Sequence, residues 1–411
     1  MEALELRSDE GILIRTPLTI RVISGTAEIW GAPFEELSLD EEGMEVLVTS
    51  GSYAKLEISR SDYVKINNPI PSWWEDLLDK ILDKITIFIG RTDSGKSSSI
   101  LYLSNKALLR GEKVSVVDSD VGQSDLGPPG VISSANLKAP VYQMKCLEPD
   151  FMYFVGDKSP RGHLLQMCLG IREALRNVDG KTVLINTTGF VDGAAARILK
   201  RAKVELVEPD IVILIEKQEG DLGHLMRSIP KGPQIIRVRS HVRDLIKDRD
   251  YRNLSRKASL RRFLKGGMTE LFDINELSLE NTFLLTGIEK TEYASFLGDI
   301  LGSKVVWVEE SSDMLLILTE GHVERIKIRK LEDLLRKEVR WASLRDYENL
   351  YIGLKLRGKC MGIGILKSLD LKNRKASIFT RYRGEVDSLS LGFFKLDEEG
   401  NELGSREVDS P

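Results

Sequence analysis

Cysteine is scarce in this chain, and the scarcity excludes several classes of protein. The three cysteines, an odd number with no Cys-x-x-Cys pair, are Cys146, Cys168 and Cys360. They argue against a disulfide framework and a cysteine metal site, and they predict a reducing, cytoplasmic location. The first residues lack a basic segment followed by an apolar one, so we expect no signal peptide. No run reaches the roughly 18 apolar residues that a membrane span requires, so we expect no membrane partner.

A strong charge of one sign is also absent. The chain has 59 Lys and Arg against 63 Asp and Glu, a net charge of −4, so any basic surface for nucleic acid must be local. Its 411 residues suffice for two or three domains, at about 150 residues each. The apolar and charged fractions, 42% and 30%, are those of a soluble globular protein. The sequence identifies no protein partner.

The most informative motif that is present is G-x-x-x-x-G-K-S, the P-loop spacing, at residues 90–97. The β-branched apolar run at 84–89 predicts a buried strand before it, and apolar residues among polar ones at 98–110 predict a helix after it. This order points loop amides at the phosphates of a nucleotide. The predicted nucleotide-binding residues are Gly90, Arg91, Thr92, Asp93, Ser94, Gly95, Lys96, Ser97 and Ser98.

Four residues of this loop have distinct predicted tasks. Lys96 reaches the β- and γ-phosphates, and Ser97 ligates Mg²⁺. Gly90 and Gly95 allow backbone angles that a side chain forbids. The chain is therefore predicted to bind ATP or GTP. The P-loop alone does not identify the acceptor of the phosphoryl group.

Hydrophobic patterning divides the chain into three predicted domains. Residues 1–71 alternate apolar and polar positions and form an N-terminal all-β domain. In residues 72–300, strands alternate with helices, which predicts a P-loop α/β core with a parallel sheet and helices on both faces. Residues 301–411 form a C-terminal, mostly β domain. A capping box at 72–75 opens a helix, and the predicted strands of the central sheet lie near 84–89, 113–118, 181–186, 210–215 and 234–238.

The second of these strands ends in an acidic cluster, Asp118-Ser119-Asp120-Val121-Gly122-Gln123. Asp118 and Asp120 fall on the same side of an extended chain. One carboxylate can hold Mg²⁺ beside the phosphates, and the other can accept a proton from an attacking hydroxyl. An isolated Asp-x-Asp pair would favour an acidic loop that caps the following segment. Its position after a P-loop and an apolar strand favours the chemical role.

Two further clusters each leave alternatives open. Asn186-Thr187-Thr188-Gly189-Phe190 follows a third strand, and the ring of Phe190 either stacks on a nucleobase or packs in the core. A basic segment between Arg237 and Lys265 places Arg252 and Arg256 one helical turn apart. These two arginines meet the transferring phosphate, grip a polynucleotide backbone, or lie on a solvated helix face.

Taken in order, the P-loop, Asp-x-Asp-x-Gly-Gln, Asn-Thr-x-Gly-aromatic and Arg-x-x-x-Arg resemble the motifs of the polynucleotide 5′-hydroxyl kinases. Members of this family act in RNA cleavage and polyadenylation, in tRNA splicing and in pre-ribosomal RNA processing, and a shorter, free-standing type is archaeal. The resemblance covers nearly the whole chain. Residues 26–31 resemble a motif of the family's N-terminal β-domain, 156–160 its phosphate-side loop and 251–266 its lid. The resemblance implies a kinase domain with a basic lid at about 243–266.

The resemblance also implies a role for each matching residue. Lys96 and Ser97 hold phosphates and Mg²⁺, and Asp118 supports the metal. Asp120 is the general base, and with Lys96 and the two lid arginines, Arg252 and Arg256, it makes up the catalytic set. The residues implied to bind substrate are Gln123, Ser159, Thr187, Gly189 and Phe190. Phe190 departs from the family, which commonly has tryptophan at this position.

The sequence therefore predicts phosphoryl transfer from ATP, with Mg²⁺, to the 5′-hydroxyl end of RNA in RNA processing or repair, with DNA ends as a second candidate. One alternative is a nucleotide-binding scaffold of an RNA-processing complex without kinase activity. The intact Lys96, Asp120, Arg252 and Arg256 argue against it. Another alternative is a GTP-dependent switch, which would require a guanine-reading Asn-Lys-x-Asp motif that the chain lacks.

Overall fold

The fold comes from a computed structural model, which describes residues 2–40, 44–241 and 249–406. The chain divides into two compact units, Met1–Ser259 and Leu260–Pro411. The domain boundaries that the sequence suggests, near residues 71 and 300, stay predictions. Of the predicted basic lid, residues 243–248 lie outside the described residues.

The first unit begins with a region of strands. Leu4 and Leu6 in its first strand alternate with exposed neighbours, so one face enters a core and the other meets water. The strands pair antiparallel in two sheets, and the predicted all-β N-terminal region is confirmed. The strands are β1 (Glu2–Arg7), β2 (Glu10–Arg15), β3 (Leu18–Gly25), β4 (Ala27–Ile29), β5 (Ala32–Phe34), β6 (Glu36–Leu39), β7 (Glu45–Thr49), β8 (Tyr53–Ile58) and β9 (Val64–Asn67).

The rest of the first unit is an α/β sheet in which every strand predicted for the central sheet is present. Its strands are β10 (Ile85–Gly90), β11 (Val114–Ser119), β12 (Val131–Leu137), β13 (Phe151–Phe154), β14 (Thr182–Thr187), β15 (Ile211–Glu216) and β16 (Gln234–Arg239). Its helices are α1 (Ser72–Ile81), α2 (Lys96–Leu109), α3 (Leu164–Leu175), α4 (Ala194–Val207) and α5 (Gly223–Met226). The sheet order is β13-β12-β11-β14-β10-β15-β16, and the strands from β11 to β16 in this order pair parallel.

One edge of this sheet differs from the predicted parallel arrangement. Strand β12 pairs antiparallel with β11, and β13 pairs antiparallel with β12. The loop between β11 and β12 contains no helix and closes on itself, because the Gly130 amide donates to the Val121 carbonyl at 2.8 Å. A parallel return would need a crossover connection, usually a helix. The sheet is therefore mixed.

Helices cover both faces of the sheet, as predicted. In β10, Ile87 and Ile89 face a core that α3 and α4 close, whereas Phe88 faces a core that α1 and α2 close. The predicted capping box at 72–75 is wrong. The N-cap of α1 is Pro71, and no side chain caps it.

Helix α6 (Arg249–Leu264) follows, and the second unit is rich in strands, as predicted. These are β17 (Met268–Asp273), β18 (Ser278–Glu280), β19 (Ile288–Glu289), β20 (Val305–Glu310), β21 (Met314–Thr319), β22 (Glu338–Ser343), β23 (Leu350–Leu356), β24 (Lys359–Asp370), β25 (Lys375–Thr380), β26 (Ser388–Leu396) and β27 (Glu402–Ser405). Its helices are α7 (Ala294–Leu301), α8 (Arg325–Leu335) and α9 (Leu344–Tyr347). Strand β17 pairs with β25. The first strand of the second unit therefore begins at Met268, well before the boundary near residue 300 that the sequence suggests.

The strands of the second unit form two sheets, ordered β17-β25-β24-β23-β26-β18, with β27 beside β26, and β19-β20-β21-β22. Within the part of the chain that the structure describes, no helix is long and apolar enough to cross a membrane.

Candidate nucleotide and substrate site

The P-loop leaves β10 and enters α2 through a turn that needs glycine at two positions. Gly95 adopts φ 92°, in the left-handed region. A Cβ on Gly90 would lie 2.5 Å from the Ser94 Oγ and 2.9 Å from the Ile215 carbonyl oxygen, so the loop folds too closely for a side chain there. The predicted strand, loop and helix are therefore present with the geometry that a phosphate-binding loop requires.

Lys96 lies at the centre of this loop. Its ammonium is buried and donates to the carbonyl oxygens of Arg91 at 2.8 Å and Gly90 at 3.1 Å. Burial lowers the pKa of Lys96, and the carboxylates of Asp120 and Asp93 oppose that shift. A buried cation surrounded by loop carbonyls and two carboxylates is ready to exchange some of these contacts for phosphate oxygens.

A cavity of about 750 Å³ opens beside the loop. Its walls come from the N-terminal strands, from α1, from residues 92–99, from the acidic loop after β11 and from α6. Its volume is within the range of small-molecule sites. Residues from these five segments include Leu13, Leu47, Ile66, Trp73, Trp74, Lys96, Ser97, Asp120, Gln123, Ser255 and Arg256.

Asp118 anchors the acidic loop. Its Oδ1 accepts from the Asp120 amide and the Asn186 Nδ2, and its Oδ2 accepts from Ser124 Oγ and the amides of Asp125 and Leu126. Burial, together with the neighbouring Asp125 and Asp120 carboxylates, raises the pKa of Asp118 to about 7. Because five donors occupy its two oxygens, Asp118 in this arrangement organises the loop rather than offering a vacant oxygen to a metal.

Asp120 and Gln123, to which the resemblance assigns a general base and a substrate contact, both line the cavity. The Asp120 Oδ1 accepts from the amides of Gly122 at 3.1 Å and Gln123 at 3.2 Å, which fixes the carboxylate. Within the described residues, nothing hydrogen-bonds to its Oδ2. One carboxylate oxygen is thus held by the loop and the other is available to a hydroxyl, which is what a general base requires.

Asn186 connects the P-loop to the acidic loop, and the sequence reasoning gave it no role. Its Nδ2 donates to the Ser97 Oγ at 3.2 Å and to the Asp118 Oδ1 at 3.1 Å. Its Oδ1 is buried and has no hydrogen-bond partner. An unpaired buried acceptor beside a P-loop serine fits a magnesium ion with its water shell, which P-loop proteins hold at this serine. No cluster of three His, Cys, Asp or Glu side chains that could hold a metal occurs among the described residues.

The segment that is predicted to bind substrate after β14, residues 186–190, is called here the clasp segment, and it is only partly exposed. Thr187 is fully buried, donates to the Phe88 carbonyl at 2.7 Å and cannot touch an oligonucleotide in this arrangement, so that expectation is corrected. Gly189 packs on the P-loop: a Cβ there would lie 2.5 Å from the Thr92 amide nitrogen. Phe190 is half-buried against the core beside α3 and α4, and the Arg161 guanidinium lies 5.3 Å from its ring centroid. Packing against the core, one of the two alternatives that the sequence left open, is therefore present, and stacking on a nucleobase stays a prediction.

Arg91 and Ser159 are among the predicted site residues that lie outside the cavity lining. The Arg91 side chain ion-pairs with Asp192 and Asp221, so only its backbone can serve the nucleotide. Ser159 belongs to a loop that packs on the acidic loop, because a Cβ on Gly122 would lie 2.8 Å from the Lys158 carbonyl oxygen. Its own hydroxyl accepts from the Arg161 amide at 3.2 Å.

Helix α6 brings both predicted lid arginines to the P-loop side of the unit. Arg252 Nη2 lies 2.6 Å from the Asp93 Oδ2, and the Arg252 Nε is buried without a hydrogen-bond partner. Arg256 lines the cavity and donates to the Asn253 Oδ1. The Arg252 guanidinium thus contacts a P-loop side chain and keeps one buried donor without an acceptor. Such a donor is suited to an incoming phosphate oxygen.

Sequence reasoning missed several residues of this site. Trp73 and Trp74 line the cavity, although their pattern had suggested only a helix start. Lys200 and Lys203 are buried beneath the strand ends. Their signal was present, because both lysines occupy the apolar stripe of α4 together with Leu199 and Val204.

The P-loop region of this chain is similar to that of a known family. Residues 90–266 match the family model described as the mRNA cleavage and polyadenylation factor CLP1 P-loop. The wild-type Clp1p–Pcf11p complex contains a chain of the same fold, with a TM-score of 0.67 and 13% identity over 96% of this chain and 97% of that chain.

Two archaeal relatives have a higher sequence identity to this chain than the Clp1p chain has. The polyribonucleotide 5′-hydroxyl-kinase of Methanocaldococcus jannaschii is 26% identical, over 79% of this chain and 90% of its own length. The polyribonucleotide 5′-hydroxyl-kinase of Thermococcus kodakarensis is 33% identical over 324 residues, which cover 77% of this chain and 89% of its own length. This chain therefore belongs to the family of the archaeal polyribonucleotide 5′-hydroxyl-kinases.

Proposed function

We propose that this protein is an ATP-dependent polynucleotide 5′-hydroxyl kinase that transfers the γ-phosphate of ATP to the 5′-hydroxyl end of RNA. The observation that carries the proposal is that Lys96, Asp120 and Arg256 line one cavity. A phosphate-binding cation, a carboxylate with an available oxygen and an arginine are the parts that phosphoryl transfer to an alcohol requires. A scaffold that only binds nucleotide has no use for the last two.

The phosphates of ATP rest on the P-loop amides and the N-terminus of α2, where the helix dipole favours anions. Lys96 gives up loop carbonyls to contact the β- and γ-phosphates. The base and ribose occupy the cavity between the P-loop, Trp73 and the N-terminal strands. In this pose the γ-phosphate points towards Asp120.

Asp120 orients the terminal 5′-hydroxyl and accepts its proton through Oδ2, while the loop amides keep Oδ1 in place. Arg252 and Arg256 meet the negative charge that spreads over the transferring phosphoryl group. Ser97 is the residue that would hold Mg²⁺, with Asn186 and Asp118 beside it, and when bound the ion would neutralise charge on the β- and γ-phosphates.

The substrate end lies against Phe190, whose ring is a stacking surface that tolerates any base. RNA is the proposed physiological substrate, in RNA processing or repair in the cytoplasm, and DNA ends are accepted as a second substrate. The family resemblance supports RNA, and nothing at Phe190 discriminates against a deoxyribose.

The test is transfer of label from γ-labelled ATP to RNA and DNA oligonucleotides with 5′-hydroxyl ends. We expect labelled RNA that depends on Mg²⁺ and disappears with EDTA. Asp120→Asn should abolish transfer while calorimetry still detects ATP binding, because an amide cannot accept the proton. Lys96→Ala should impair both. Exposed Asp179, changed to Asn, is the matched control and should leave transfer unchanged.

Two results would contradict the proposal. ATP binding without transfer to any 5′-hydroxyl end would favour the scaffold alternative. Near-normal turnover by Asp120→Asn would show that another group accepts the proton.

A further inference from the structure

Helix α4 carries two lysines on its buried face. Lys200 is 1% exposed and Lys203 is fully buried, among apolar side chains of the same helix such as Leu199 and Val204. An ammonium in such an environment costs several kcal/mol unless it is well paired. Within the described residues, neither ammonium forms an ion pair with a carboxylate, and both bond only to hydroxyls and carbonyls.

Lys203 acts on the strand that leads to the catalytic aspartate. Its Nζ donates to the Ser119 Oγ at 2.7 Å, and that hydroxyl donates to the Asn186 carbonyl at 2.6 Å. Ser119 directly precedes Asp120 in the chain. The chain of hydrogen bonds therefore ties the end of β11 to the end of β14.

Lys200 makes the equivalent connection one strand further along. Its Nζ donates to the Thr187 Oγ1 at 2.9 Å and to the Thr188 carbonyl at 2.6 Å. The Thr187 hydroxyl in turn donates to the Phe88 carbonyl at 2.7 Å, two residues before Gly90. This chain of bonds ties the end of β14 to the end of β10.

The two lysines thus join three adjacent strand ends. The residues that follow are the P-loop after β10, Asp120 after β11, and Gly189 with Phe190 after β14. Polar networks of this kind, when fully satisfied, specify one geometry. The same hydrogen-bond network therefore holds the P-loop, the segment with the general base Asp120, and the segment with Phe190.

The charges also have the right sign for the site. The Asp120 carboxylate raises the pKa of both lysines. Burial has the larger effect in the other direction: it lowers the pKa of Lys203 to about 8 and that of Lys200 well below its ordinary value.

We propose that Lys200 and Lys203 are positioning residues for phosphoryl transfer, which hold the ends of β10, β11 and β14 in register without touching either substrate. This inference rests on the proposed kinase function. Neither lysine lines the cavity. Their task is to set the distance between the γ-phosphate on the P-loop and the Asp120 oxygen that receives the proton.

The test replaces each lysine by methionine, which has a similar length and no charge, and measures kcat, both KM values and Tm. We expect kcat to fall roughly ten- to hundredfold with little change in either KM, since a misplacement of about 1 Å can cost that much. Tm should hold or rise, because an apolar side chain often replaces a buried charge without loss of stability. Exposed Arg201 on the same helix, changed to Met, is the control and should keep wild-type kcat.

A kcat within about twofold of wild type, with a lowered Tm, would overturn the inference and make the lysines purely structural. A rise confined to the KM of the oligonucleotide would also overturn it. If a methionine variant does not fold, Ser119→Ala decides, since it removes the hydroxyl that links Lys203 to Asn186. Lowered kcat there supports positioning, and unchanged kcat overturns it. Absence of transfer in the wild-type protein would instead contradict the proposed function itself.

Discussion

At the scale of single residues, Phe190 shows how one side chain serves two environments. Part of its ring packs against the core beside α3 and α4, and the Arg161 guanidinium lies over it. A cation over an aromatic face is held by the ring's quadrupole, so Arg161 covers one face of the Phe190 ring. The neighbouring Gly189 lies close to Thr92 of the P-loop.

For Phe190→Ala we predict a loss of about 1–3 kcal/mol in kcat/KM for oligonucleotides, roughly 5- to 150-fold, because the stacking surface is removed. Phe190→Trp should be neutral or better, and all four terminal bases should be accepted. Steady-state kinetics beside thermal melts are the measurement. Normal kinetics in the folded protein, with Tm lowered in both variants, would show that the ring serves only the core.

At the scale of elements, helix α6 carries the lid arginines to the P-loop. Arg252 pairs with Asp93, a P-loop residue, and Arg256 faces the cavity. Both arginines therefore lie on the P-loop side of the first unit. The sequence left open that these arginines lie on a solvated helix face. The contact of Arg252 with Asp93 and the position of Arg256 in the cavity wall argue against that interpretation.

For Arg252→Ala and Arg256→Ala we predict a fall in kcat of about 100- to 1,000-fold, with a much smaller change in ATP affinity, because they meet charge that exists only in the transition state. Lysine at either position should rescue only in part, since the planar fork is lost. Arg261→Ala, an exposed arginine of the same helix that pairs with Glu399, is the control. An effect confined to the KM of the oligonucleotide would make these arginines grips on the nucleic-acid backbone.

The contact between the clasp segment and the P-loop gives a second prediction at this scale. In Gly189→Ala, the new Cβ would lie 2.5 Å from the Thr92 nitrogen and 2.8 Å from its Cα, so the P-loop backbone must shift. ATP affinity should therefore fall, as measured by calorimetry. Gly223→Ala is the matched control, since nothing lies within 4 Å of its Cβ position. Unchanged ATP affinity in Gly189→Ala would show that the loop tolerates the shift.

At the scale of the first unit, the N-terminal strands and the α/β sheet build one cavity together. Leu13, Leu47 and Ile66 line it from the strands, and residues 92–99 line it from the P-loop. In the pose proposed above, the phosphate end of the nucleotide lies on the P-loop and the base end lies against the N-terminal strands. That pose implies that binding of the phosphates and recognition of the base can be altered separately.

Ile66→Trp should narrow the base end of the cavity. We predict a raised KM for ATP with an unchanged inhibition constant for inorganic tripolyphosphate, because the polyphosphate contacts only the P-loop. Inhibition kinetics measure both quantities. Ile23→Trp, at an exposed position of β3 outside the cavity lining, is the control. Equal changes for ATP and tripolyphosphate would contradict a separate base subsite.

Local features of the sequence were enough to predict the chemistry and most of the central sheet. These features are local: the residue spacing around Lys96, the apolar runs of the strands and the order of the motifs. They can therefore be recognised without knowing the tertiary contacts. The same holds for Asp120 and Gln123, which follow a strand end and face the cavity.

Tertiary structure decided which of the neighbouring residues face the site. Thr187 belongs to the clasp motif, yet its side chain points into the sheet, where Lys200 and the Phe88 carbonyl bind it. The antiparallel edge formed by β12 and β13, the five donors on Asp118 and the buried lysines of α4 also depend on contacts between segments far apart in the chain. Burial and pairing belong to the packed arrangement rather than to any local pattern, and for that reason the support beneath the active site appears only in the folded molecule.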